Sequence, residues 1–127
     1  MRTSVPMNYN IITPQNKYMV LDYLKKGEID RVFLVFMADS QLYADEKEFN
    51  TLKENSDFLT TNGIETTCWT NAYIGHGGVL LHDVKQSFDF TEITSIKGET
   101  ISGNYCPLDP DFVKTTCKLY KRIAKTG

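Results

Sequence analysis

Trp69, Asn71, Tyr73 and His76 fall close together, the last of them between Gly75 and the Gly77-Gly78 pair. Aromatic rings supply apolar faces, while an amide and an imidazole supply hydrogen bonds; glycines let the backbone that carries them turn freely. The chemistry implied is ligand recognition. Thr66, Thr67, Cys68 and Trp69 are β-favouring residues that follow the Asn62-Gly63 break, so a strand is expected to begin there and to aim this group past its carboxyl end. In α/β folds ligands bind at that end of the strands. The competing interpretation is a core tryptophan beside a plain glycine turn.

Other chemistries lack their residues. His76 and His82 stand six apart rather than at the i, i+4 spacing of a helical metal pair, and Cys68, Cys106 and Cys117 form no Cys-x-x-Cys. No metal and no cofactor is expected, and the cysteines read as small buried hydrophobes. Ile12-Thr13-Pro14-Gln15 contains no glycine for a dinucleotide fingerprint, no Walker lysine follows Gly77-Gly78, and no Gly-x-Ser-x-Gly elbow occurs. Fourteen basic against sixteen acidic side chains, a net charge of -2, argue against a nucleic-acid partner. No apolar run approaches the roughly 20 residues of a membrane span. Met1-Arg2-Thr3-Ser4 precedes no signal-peptide core, so the expectation is no membrane and a cytoplasmic location by default.

The elements that must position the group follow from hydrophobic spacing. At 127 residues the chain fits a single domain, 1–127, about half of what a closed β/α barrel uses. Met7 to Ile12 reads as a first strand, and Thr13-Pro14 as cap and first turn of a helix from Gln15 to Lys26, with Tyr18, Leu21 and Leu24 on one stripe and Gly27 as its stop. Val32 to Ala38 is apolar throughout, the mark of a central parallel strand. Asp39 follows it in phase with Phe33, Val35 and Met37. A second helix places Phe49, Leu52 and Leu59 on one face and stops at Asn62-Gly63. After the third strand, Thr70 to Tyr105 is far longer than the about 2–6 residues of an ordinary connection. Within it, Thr91 to Ile96 and Glu99 to Ser102 flank Lys97-Gly98 as a hairpin. Asp109-Pro110-Asp111 then caps a third helix whose stripe reads Val113, Cys117, Tyr120 and Ala124.

Three strand-helix units with right-handed crossovers give an α/β fold with parallel strands. Ile29-Asp30-Arg31-Val32-Phe33-Leu34, then Asn62-Gly63-Ile64 leading to Trp69-Thr70-Asn71, then Cys106-Pro107-Leu108-Asp109-Pro110 before a helix, resemble the N-terminal part of bacterial glycoside hydrolases with an eight-fold β/α (TIM-type) barrel. The resemblance spans residues 7 to 127. It implies a partial barrel of three strand-helix units with a hairpin-containing insertion after the third strand. It also implies a fourth strand ending in acidic residues at the sugar site, and the chain stops at Gly127, where that strand is due.

Glycoside hydrolysis needs two carboxylates about 5–5.5 Å or about 6.5–9.5 Å apart, and Asp39 alone stands at such a position. The expected role is therefore part of a sugar-binding pocket without the full catalytic set. Trp69 or Tyr105 would be the platform for a sugar face, while Asp39, Asn71 and His76 would bond hydroxyls. The alternative is a self-contained small α/β domain, flavodoxin-like in outline, that binds a ligand or protein without catalysis. Strand alternation puts Glu65, Thr67, Trp69 and Asn71 on one face and Ile64, Thr66 and Cys68 on the other, toward the helices. The first of these faces, with Phe33, Val35 and Met37, is expected to be poorly covered and open to self-association.

Overall fold

The computed structural model describes residues 2–36, 46–70 and 89–126. In chain order the elements are β1 (Ser4–Asn8), α1 (Lys17–Lys26), β2 (Arg31–Phe36), α2 (Glu46–Thr61), β3 (Glu65–Thr70), β4 (Glu92–Thr94), β5 (Thr100–Tyr105) and α3 (Pro110–Ile123). They divide between two compact units: one holds β1 to β3 with α1 and α2, the other holds β4, β5 and α3 up to Arg122.

In the first unit the strands form a parallel sheet in the order β1-β2-β3. β2 is central, which is why it is apolar: Val32, Leu34 and Phe36 are at most 1% exposed. β1 pairs with it from Ser4↔Arg31 to Asn8↔Val35, so Val5 and Met7 share the face of Val32 and Leu34. The first strand thus starts three residues before the expected Met7 and ends before Ile12. Pro6 belongs to it because β1 is an edge, where a missing N–H costs no ladder bond. Beyond Asn8 the chain bends, with Ile11 N donating to Asn8 O at 3.1 Å. The buried Asn55 of α2 donates to Tyr9 O (2.7 Å) and Ile12 O (3.1 Å). Ile12 becomes a core plug, not a strand residue.

α1 begins at Lys17, two residues after the expected Gln15. Thr13 is not its cap: Thr13 N donates to Asn16 Oδ1, Asn16 Nδ2 donates to Ile11 O, and the whole forms a turn ahead of the helix. Leu21 and Leu24 are buried as their spacing implies, but Tyr18 is 69% exposed and lies edge-on to Phe58. α2 buries Phe49, Leu52 and Leu59 together with Asn55 and Ser56. Ser56 bonds the Thr66 hydroxyl at 2.7 Å, which fixes the helix-facing side of β3. Phe36 packs between Tyr9 (4.7 Å) and Phe49 (5.4 Å). Full burial of such side chains contributes about 1.5–3 kcal/mol each.

Both helices end in the same motif. Ile64 N donates to Leu59 O and Gly63 N to Thr60 O, while Ile29 N donates to Leu24 O and Glu28 N to Lys25 O. These are the paired bonds of a Schellman turn. Gly63 takes the left-handed position at φ 84°, but after α1 that position falls to Glu28, at φ 52°, and not to Gly27.

In the second unit β4 and β5 form an antiparallel hairpin. Its turn is longer than the expected Lys97-Gly98: Gly98 N donates to Ser95 O, Ser95 N to Glu99 O, and Gly98 stands at φ 81°. Three loop residues with a left-handed glycine suit the twist of the strands. Asp109 caps α3 as expected, accepting from Asp111 N and Phe112 N through Oδ1 and from Thr91 N through Oδ2. Those backbone donors hold its carboxyl down at about 2. The expected stripe of α3 is displaced by one position. Phe112, Leu119 and Ile123 are buried, whereas Val113, Cys117 and Tyr120 are exposed. Phe112 turns in because the rings of Phe90 and Tyr105 lie there, each 5.6 Å away.

Candidate functional site

The candidate site lies on the face of the parallel sheet that β3 leaves open. Along β3 the residues alternate, with Glu65, Thr67 and Trp69 exposed and Thr66, Cys68 and Thr70 half-buried. The exposed set shares its side with Arg31 and Phe33 of β2. At the amino end, Glu65 receives Arg31 and Arg2, each at 2.7 Å. These surface pairs set register and contribute less than about 1 kcal/mol each. Toward the carboxyl end the charges give way to rings. Trp69 and Phe33 meet edge to face, 6.4 Å between centroids and 75° between planes.

Trp69 is 50% exposed, so it is not a core tryptophan sealed under a helix. A cavity of about 420 Å³ opens beside it, lined by Phe33, Thr67, Cys68 and Trp69. Apolar walls with a hydroxyl describe a surface that takes the carbon face of a ligand and one hydrogen bond at its edge. Burial pushes the Cys68 thiol up to about 11, so at neutral pH it is a neutral thiol and a poor nucleophile. Among the described residues no group of three or more His, Cys, Asp or Glu side chains could hold a metal ion. No described helix is long and apolar enough to cross a membrane.

Of the residues expected at the site, Trp69 stands at the carboxyl end of β3. Asp39, Asn71 and His76 lie outside the described residues, as does Met37. Tyr105 is a correction. It was expected to offer a ring face to a ligand, but it is 0% exposed, packed edge-on against Phe90 at 5.2 Å and tilted against Phe112. Its position at the end of β5, opposite Glu92 and just before a turn tied by Cys106 N to Thr91 O, turns the ring into the core of its unit. Phe33 and Thr67 were not singled out as ligand contacts. Stepping by twos back from Asp39 and Trp69 reaches both, so strand phase was the available signal.

Comparison with protein-family models, with curated proteins and with solved structures finds no match to this chain.

Proposed function

We propose that this chain is part of a carbohydrate-active β/α barrel resembling the glycoside hydrolases, and that its sheet contributes a sugar-binding surface. The observation that carries the proposal is the half-exposed Trp69 ring set edge-on to Phe33 beside an apolar cavity at the carboxyl end of a parallel strand. Barrels and open α/β sheets both bind at that end. The strand order supports the barrel over the flavodoxin-like alternative: β2 is central here, whereas a flavodoxin-like order places the first strand between the second and the third. With right-handed crossovers, the order 1-2-3 puts the helices on one side and leaves the other to the barrel interior.

The described lining of the cavity binds and does not hydrolyse, since Phe33, Thr67, Cys68 and Trp69 include no acid–base pair. Trp69 is the one tryptophan of the chain, so its fluorescence reports on this surface alone. Titration with neutral oligosaccharides is expected to shift its emission saturably. Phe33→Ser should weaken that binding about tenfold or more, about 1.4 kcal/mol. A folded protein whose emission is indifferent to every saccharide overturns the proposal. Turnover of an aryl glycoside that disappears in Asp39→Asn would replace it with a catalytic one.

A further inference from the structure

The first unit has a second cavity that the sugar surface does not use. It holds about 290 Å³ between the turn that follows β1 and the side of α2, with Ile12, Pro14, Lys17, Glu54, Asn55 and Phe58 among its lining. That volume is at the lower end of small-molecule pockets, about 300–1,000 Å³, so the occupant is small.

Its polar groups are sorted by type. Both amide hydrogens of Asn55 are donated, to Tyr9 O and Ile12 O. Its Oδ1 therefore remains an acceptor, with no hydrogen bond among the described residues, on a side chain whose residue is only 8% exposed. That oxygen is not sealed off from solvent, and the residue lines the cavity. Next to it in sequence, Glu54 adds a carboxylate to the same lining. Lys17 supplies the opposite charge, with its ammonium held 5.1 Å over the Tyr18 ring and 5.6 Å over Phe58. Lys17 and Glu54 pair neither with each other nor with any other described residue. An anion and a cation that line one small cavity without meeting leave a gap that a ligand carrying both charges closes.

We propose that this cavity binds a small zwitterion of the α-amino-acid type. The ligand's ammonium is received by the Glu54 carboxylate and Asn55 Oδ1, its carboxylate by Lys17, and an aliphatic side chain lies against Ile12, Pro14 and Phe58. Two charge-assisted contacts select the zwitterion over either half of it, because a ligand lacking one charge leaves a partner without its counter-ion.

The test is a titration of the isotope-labelled chain with the standard L-amino acids over a millimolar range, followed through its backbone amide resonances. L-leucine is compared with 4-methylpentanoate, which lacks the ammonium, and with 3-methylbutylamine, which lacks the carboxylate. Saturable shifts centred on Lys17 and Glu54 are expected with the amino acid, and binding at least tenfold weaker with either half. Lys17→Met and Glu54→Gln should each cost a similar factor while the far-ultraviolet circular dichroism is unchanged. Equal binding of the three probes, saturable shifts centred elsewhere, or no saturable shift with any amino acid overturns the proposal. The probe comparison on the unaltered chain decides this even where a variant folds poorly.

Discussion

The two faces of the parallel sheet are built from the same three strands and differ in what they do. On one, Val32, Leu34 and Phe36 are sealed, and the buried polar residues of α2 beneath tie the unit together, Asn55 donating both amide hydrogens to the carbonyls of Tyr9 and Ile12 and Ser56 bonding the hydroxyl of Thr66. On the other, Phe33 and Val35 are half-buried and Trp69 is half-exposed, with an ion-paired amino end and an aromatic carboxyl end. Packing is concentrated on the first face, and the proposed sugar surface lies on the second. A strand with side chains alternating at period two is what allows one short segment to serve both.

The contrast can be broken by substitution. Leu34→Ala, on the sealed face, is expected to destabilise by about 2–5 kcal/mol, read as a drop in the urea midpoint. Trp69→Ala should cost less than half as much, and equal costs would mean that the open face is core. Thiol chemistry tests the burial of Cys68 next. Burial moves the Cys68 thiol from its ordinary 9.0 to about 11, which leaves about a hundredfold less thiolate at neutral pH. Alkylation of the native chain should therefore label the exposed Cys117 well before Cys68, and labelling of Cys68 should accelerate as pH rises toward 11. Simultaneous labelling of the two would contradict the burial of the Cys68 thiol.

Smaller effects sharpen the picture at the margins of the sealed face. The two helix-to-strand turns share one hydrogen-bond pattern but not one residue type at the left-handed position. Glu28→Gly should stabilise by about 1 kcal/mol, and Gly63→Ala should destabilise by about as much. Cavity space is not the cause, since a Cβ at Gly63 meets nothing within 4 Å. Differential scanning calorimetry of the two variants, shifting in opposite directions, checks this. At the amino end of the open face, Glu65→Gln should change stability by less than about 1 kcal/mol, and that small loss should shrink with added salt. A large, salt-insensitive loss would mean that the Arg2 and Arg31 contacts are buried in solution.

Much of this was legible from the chain alone where the physics is local. The all-apolar Val32 to Phe36 run, the glycine stop at Gly63, the hairpin around Gly98 and the cap at Asp109-Pro110 each depend on groups within a few residues of one another. So did the alternation along Glu65 to Trp69, which placed the tryptophan on the open side. Elements whose partners are distant in sequence were not legible. β1 could be drawn from Met7 to Ile12 on propensity, but its span is set by pairing with β2 and by Asn55, forty-three or more residues away, taking the carbonyls of Tyr9 and Ile12.

The third helix gives the physical reason most directly. Val113, Cys117, Tyr120 and Ala124 obey the helical period, and so do Phe112, Leu119 and Ile123 one residue earlier in the turn. Periodicity determined that there is a helix and that it carries an apolar stripe. Only the placement of Phe90 and Tyr105 decided which stripe turned inward, and it made Tyr105 a core ring instead of a ligand platform. A period is a property of neighbours along the chain, whereas burial is a property of whatever else arrives at that face. The charges of Lys17 and Glu54 likewise stand in the sequence as two unrelated solvated side chains, and tertiary structure alone sets them on one cavity.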